Sequence, residues 1–465
     1  MSVFEGPSLC RLPPQIIGVE TYHTNGYFVL GPLPCPPRLE GTVVHNPQQI
    51  FADHIAVSRR YFLGLGIAGV AAAHASQLLE NVAAAQENSA VVEEVANLEY
   101  LTHPDQFQLV ERGDPLPYMH PIEKLRDVGM THETWKLEVV SDPDAKATLA
   151  NPLSKELGTA LDWHGLMKLA ETKAVRYLKV MSCNNIDAPL GMGLWEGVPL
   201  RDVLWLTKPT ENIRRVFYYG YHNDAPKQIF RSSLPIGRVL EDPPGEYPVM
   251  LCYKLNGELL TGKRGGPVRM LVPDAYGFKS VKWLIRVLLT NAPFANDTYA
   301  TGNNDIDSWM KTSARILHRP LTVKAGDPIP VTGLAQVGIS GLSKVQYWLS
   351  PQNQSWPADD PWFTKADWNE ADLLSAPESW GGGLPEGKLP EGTIGIDAKT
   401  GKPTAWPMRY SIAHWAAVLK NVPAGKYDLR CRSIDANGIA QPLPRPFLKA
   451  GGNAIQKMEL TVEPV

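Results

Sequence analysis

The sequence predicts an α+β domain followed by a β-sandwich. Three observations carry that prediction. Short strand-like and helix-like runs mix irregularly over residues 98–318. From Leu321 onward the chain reads as strand and turn only. The 41 prolines and 39 glycines among 465 residues exceed the roughly 12% usual in soluble domains, which favours turns over long helices. The apolar fraction of 44% and charged fraction of 20% are otherwise ordinary. A net charge of −3 argues against a nucleic-acid partner, which a strong basic excess would announce. Five cysteines, an odd and sparse count, exclude a disulfide scaffold. No apolar run is long enough to span a bilayer.

Residues 1–75 read as an N-terminal extension ending in an export signal, and 76–97 as an Ala/Glu-rich linker. Ser58-Arg59-Arg60-Tyr61-Phe62-Leu63, an uncharged run onward from Gly64, and Ala73-His74-Ala75 have the order of a twin-arginine signal. The alternative is a short buried helix after a basic pair. Because 57 residues precede Ser58, the natural start is expected near Val57, with 1–56 a misassigned extension; a genuine disordered tail is the competing reading. Gly64-x-Gly66-x-x-Gly69 mimics a dinucleotide fingerprint, but no strand precedes it to present the turn.

Within 98–318, Trp135 to Val139 alternates apolar and polar, the period of a half-buried strand. Leu161 to Lys173 suits a short amphipathic helix, and Val175 to Met181 a strand ending at Ser182-Cys183-Asn184-Asn185. Val249 to Leu255, Val268 to Val272 and Val281 to Leu289 are further strand candidates. Cys183, leaving a strand for a polar loop, is a candidate nucleophile or soft-metal ligand, weighed against a small buried core residue. Cys252, inside an apolar run, fits the core reading. The chain contains no C-x-x-C, H-E-x-x-H or C-x-x-C-H motif, which argues against a zinc, iron–sulfur or c-type haem site.

Residues 263–286 carry Lys263, Arg264, Arg269, Lys279, Lys282 and Arg286, interleaved with glycines. Glycines let backbone N–H groups approach an oxyanion and the cations bind it, so a phosphate-bearing cofactor is one reading and a solvated basic surface the other. Gly257-x-x-x-x-Gly262-Lys263 nearly matches a nucleotide-binding loop, but Arg264 stands where the magnesium-binding hydroxyl belongs.

An ordered series of motifs runs from about residue 98 to 290: Leu101-Thr102, Arg112-Gly113-Asp114-Pro115, Ser182-Cys183, Trp195-Glu196-Gly197-Val198-Pro199-Leu200, Ser233-Leu234-Pro235, Leu255-Asn256-Gly257, Gly266-Pro267-Val268-Arg269 and Tyr276-Gly277-Phe278-Lys279-Ser280-Val281-Lys282-Trp283. Together they resemble the sulfite oxidase family of molybdopterin enzymes. The resemblance implies a molybdenum ion held by one pyranopterin dithiolene and by the thiolate of Cys183. It also implies pterin binding by Arg112, Asp224, Arg264, Arg269, Ser280 and Lys282, Arg264 standing where relatives carry histidine or asparagine. Two departures bear on substrate. Cys183 is followed by Asn184-Asn185-Ile186-Asp187, without the arginine that sulfite-oxidising members carry there. The family's metal-facing tyrosine has no counterpart, Ile306 standing in its place, and Tyr276 or Tyr299 would replace it, Tyr276 being the catalytic candidate.

In residues 319–465, short runs such as Val345 to Trp348 and Tyr427 to Cys431, broken by Gly, Pro and Asn, argue a β-sandwich. Gly425-Lys426-Tyr427 through Asp435-Ala436-Asn437-Gly438 resembles the family's immunoglobulin-like dimerisation domain. Residues 351–410, with five tryptophans, read as an insertion that is either a self-packed surface loop or a docking surface. The expected protein is therefore a periplasmic, homodimeric molybdenum oxidoreductase performing oxygen-atom transfer. Its electrons would go to a separate protein, a cytochrome or membrane-bound donor. Sulfoxide reduction and a non-catalytic structural role are the alternatives.

Overall fold

A computed structural model describes residue 95 and residues 98–465, apart from 146, 225–228, 244, 301, 444 and 446. The expected extension, export signal and nearly all of the linker lie outside the described residues. No helix among the described residues is long and apolar enough to cross a membrane.

The first half forms ten strands: β1 (Lys136–Ser141), β2 (Leu161–Asp162), β3 (Val175–Ser182), β4 (Pro189–Pro199), β5 (Arg215–Gly220), β6 (Arg231–Pro235), β7 (Met250–Leu255), β8 (Glu258–Leu259), β9 (Arg269–Leu271) and β10 (Leu284–Thr290). One sheet runs β3-β4-β7-β8 with β9 beside β7, and the other runs β2-β1-β10-β5-β6. The near-continuous apolar run at β7 is explained by burial of both its faces: Met250 and Cys252 join one core, Leu251 and Tyr253 the other. Short α-helices cover the layers, among them Trp163–Lys173. That helix begins two residues later than the periodicity suggests, because Leu161–Asp162 is drawn into pairing with β1. Asp162 then caps it, its carboxylate accepting from the Gly165 N–H at 2.8 Å.

The second half is an immunoglobulin-like β-sandwich of β11 (Ser313–His318), β12 (Thr322–Lys324), β13 (Ile329–Gln336), β14 (Lys344–Pro351), β15 (Asn369–Leu373), β16 (Ile412–Leu419), β17 (Gly425–Ile434) and β18 (Gln456–Glu463). Its strand order is β11-β13-β16-β15-β14-β17-β18-β12, around a core that includes Trp415, Leu429 and Leu460. Ser313–His318, placed before the sandwich by the sequence, pairs with β13 and belongs to it. The 351–410 segment is not simply a surface loop. It supplies β15, which pairs with both β14 and β16, and the buried Trp380, whose ring lies 5.9 Å from Tyr100 in the core of the preceding domain.

The turn at 277–280 is held by a buried ion pair. Lys279 Nζ lies 2.6 Å from Asp297, with side chains 2% and 0% exposed. The hydroxyls of Ser232 and Ser233 donate to the same carboxylate at 2.5 and 2.6 Å. A buried charge whose partner is removed is strongly destabilising. Asp297→Ala should therefore cost about 3–5 kcal/mol, read as a lower midpoint in urea unfolding; an unchanged midpoint would show that Lys279 is solvated or paired otherwise.

Candidate functional site

Cys183 follows directly on β3. The β3–β4 ladder shifts register between Met181 and Ser182, and such a bulge bends the strand and re-aims the side chains beyond it. Ser182 is buried and its hydroxyl donates to Gln336 Oε1 of the sandwich. Cys183 is half-buried, and its thiol donates to Asn185 Oδ1. The two other described cysteines are buried, and desolvation pushes the Cys252 and Cys431 thiols up to about 12, which makes them inert.

The thiol opens into a cavity of about 220 Å³ whose wall includes Arg112, Cys183, His222, Arg264, Arg269, Ser280, Lys282 and Tyr299. The aromatic rings of Phe107, Trp195, Phe230 and Trp283 complete much of the surface. The cations reach it from separate elements. Arg264 closes a short 3-10 turn, Gly262–Arg264, that exits through Gly265 at φ 96°. A Cβ at Gly265 would also come within 2.7 Å of the Lys282 side chain, so the turn requires glycine here. Arg269 opens β9, and Ser280 and Lys282 lie on the crossing from β9 to β10.

Arg264 and Arg269 are 6% and 5% exposed. Arg264 Nη2 donates to the Phe107 carbonyl at 3.1 Å, and Arg269 donates to the carbonyls of Arg264 and Ser280 at 3.0 and 2.7 Å. Their guanidinium carbons lie 5.5 and 5.2 Å over the Phe107 and Trp195 rings. Among the described residues neither arginine, nor Lys282, forms a salt bridge, and Arg269 Nε has no hydrogen-bond partner. Burial pushes Arg269 down to about 10, and burial together with Arg269 and Arg264 pushes Lys282 down to about 7. Burying charges without counterions is costly, and an anion entering the cavity would offset that cost. Ser280 is already engaged: its hydroxyl accepts from the Val272 N–H at 3.1 Å.

Two expected residues are not brought to the cavity. Tyr276 is 1% exposed; its hydroxyl accepts from the Lys311 N–H at 3.3 Å, and its ring packs so close to Gly451 that a Cβ there would clash at 2.3 Å. Tyr299, its alternative, lines the cavity. The Asp224 carboxylate is 73% exposed and pairs with Lys124 at 2.8 Å. His222, two positions earlier, does line the cavity, yet no motif singled it out. Of the remaining cations in 263–286, Lys279 is consumed by Asp297 and Arg286 by Glu138 at 2.6 Å.

Comparison with known proteins bears on the class of site. Residues 129–298 match the family described as oxidoreductase molybdopterin binding domain. The chain carries a molybdopterin-binding oxidoreductase domain. A stretch of 126 residues is 33% identical to the NADPH nitrate reductase of Aspergillus niger, covering 27% of this chain and 14% of that protein. Another of 193 residues is 27% identical to the mitochondrial sulfite oxidase of Drosophila melanogaster, covering 40% and 31%. The chain thus spans less than a third of the length of either relative. The solved sulfane dehydrogenase SoxCD from Paracoccus pantotrophus aligns with a TM-score of 0.48 at 16% identity, over 72% of this chain and 79% of that one. The domain match implies a molybdopterin cofactor. The cavity's donor set fits one: Arg264, Arg269 and Lys282, without a carboxylate partner among the described residues, for an anionic group, aromatic walls for a planar ring, and a thiol at the edge for a soft metal.

The depressed Lys282 fixes the sign of a pH effect. In the cofactor-free protein Lys282 is charged below about pH 7 and neutral above it. Relative to Lys282→Met, the wild-type affinity for pyrophosphate should therefore fall as pH rises from 6 to 8, by at most about ten-fold per pH unit for a single linked proton. Calorimetric titration of both proteins cancels the ligand's own ionisation, which is common to the two. The same pH dependence in both proteins would contradict it.

Proposed function

We propose that the chain performs oxygen-atom transfer at a molybdenum ion held by a single pyranopterin and the Cys183 thiolate. One observation supports this most: Cys183 lines the same cavity as three cations that lack a carboxylate partner. Molybdenum so held supplies two-electron redox chemistry coupled to transfer of an oxygen atom. The chain's own contribution is binding and placement. Arg112, Arg264, Arg269 and Lys282 would neutralise the cofactor's anionic groups, Arg264 and Arg269 without losing their carbonyl hydrogen bonds. Trp195 and Phe107, already stacked on the two arginines, would exclude water from that contact. Asp224, exposed and paired with Lys124, is a weaker candidate for the pterin, and Tyr299 replaces Tyr276 as the candidate tyrosine near the reacting centre.

The loop after Cys183 favours a second reading of the substrate. Asn185 bonds the thiol, and Arg315 reaches this loop only to donate to the Asp187 carbonyl at 2.5 Å. None of residues 184–188 after the thiol is a cation, which weakens attraction for a small dianion such as sulfite and supports reduction of an uncharged oxide such as a sulfoxide. Export to the periplasm by the twin-arginine route, a homodimer joined through the sandwich, and electron exchange with a separate cytochrome or membrane-bound protein complete the proposal.

Protein purified from molybdate-replete cells should contain about one molybdenum per chain, the stoichiometry of a single Cys183 thiolate. Cys183→Ser should lower turnover of both sulfite oxidation and sulfoxide reduction by at least about a thousand-fold, as removal of a metal-activating ligand does, with far-ultraviolet circular dichroism unchanged. A metal-free, normally folded wild-type protein would instead support the structural role.

A further inference from the structure

His222 is 4% exposed and lines the cavity between Trp283 and Phe230, its ring centroid 5.1 and 5.5 Å from theirs. Its Nδ1 lies 3.3 Å from the Gly220 carbonyl. A carbonyl only accepts, so the proton of the neutral ring sits on Nδ1 and Nε2 is left as an acceptor. The ring has no other hydrogen-bond partner among the described residues. Burial, helped by the charges of Arg112 and Lys282, pushes its pKa down to about 4, so the ring is neutral at working pH.

The neighbours make that acceptor distinctive. Arg112, Arg264, Arg269 and Lys282 can only donate. Among the described lining residues the single carboxylate, Glu111, accepts from the Tyr118 hydroxyl through Oε1, and Gln108, Ser280 and Tyr299 carry the other side-chain oxygens, so His222 supplies the one buried nitrogen acceptor. A pterin, however, presents an exocyclic amino group and ring N–H groups as well as acceptors, and its donors need a partner if they are buried. Resting on the reading of this cavity as the cofactor site, we propose that His222 accepts a hydrogen bond from an N–H donor of the pterin and so orients the ring. The class of ligand that His222 selects is a planar, donor-bearing heterocycle rather than a bare phosphate.

Two variants test it. His222→Phe keeps an aromatic ring between Trp283 and Phe230 but has no acceptor, and His222→Gln restores one. The readouts are pterin content of purified protein, by fluorescence after oxidative extraction, and the melting temperature of protein made without cofactor. His222→Phe should lose about ten-fold in pterin content, the worth of one buried hydrogen bond, beyond any change in its cofactor-free melting temperature, which reports loss of the bond to the Gly220 carbonyl. His222→Gln should recover most of the content. Wild-type pterin content in His222→Phe overturns the His222 assignment alone, as does equal loss in both variants. A wild-type protein without any pterin overturns the cofactor reading and this inference together.

Discussion

A buried guanidinium without a carboxylate is the constraint around which the rest of the site is arranged. Arg269 sits 5% exposed on β9, spends its terminal nitrogens on two carbonyls, and has Arg264 and Lys282 as further cations beside it. The desolvation cost of such a group is several kcal/mol even after relaxation. Carbonyl dipoles and the Trp195 face offset part of it. They leave the net positive charge in place, and an anion entering the cavity would relieve repulsion among three cations at once.

Bringing a thiol to that charge requires both sheets and the sandwich. The bulge at the end of β3 takes Cys183 off the ladder, while the crossing from β9 to β10 carries Ser280 and Lys282 over the gap between sheets. The Lys279–Asp297 pair fixes the turn between them. The sandwich closes the other side: Gly451 N–H donates to the Asn184 carbonyl at 2.9 Å, and Lys449 Nζ lies 4.5 Å over the Tyr299 ring. The loop after the thiol is therefore held by both domains.

Much of this was legible in the sequence because it is local. A strand ending at a cysteine in a polar loop, a run of cations among glycines, and apolar runs punctuated by Gly and Pro each have a short-range physical signature. What was not legible depends on which way a side chain faces after the chain has folded. Lys279 and Lys282 look equivalent in sequence, yet one enters a buried pair with Asp297 and the other lines the cavity. Tyr276 and Tyr299 were chemically interchangeable until Gly451 packed against the first. Asp224 stood out as an acidic residue near a motif, whereas His222 beside it had no pattern to mark it, since its role comes from the burial that Trp283 and Phe230 create. The tryptophans of 351–410 suggested a surface feature, but pairing of β15 with both layers of the sandwich and insertion of Trp380 into the first domain are long-range events without a local signal.

The proposed site requires that the carboxylate-free cations and Cys183 hold one and the same group. A crystal structure of the protein purified from molybdate-replete cells, with diffraction recorded at the molybdenum edge, tests it most directly. An anomalous peak within bonding distance of Cys183 Sγ, with continuous density from it to Arg269 and Lys282, is the expected result. A peak elsewhere, or a metal at Cys183 with the arginines left in contact with water alone, would contradict it.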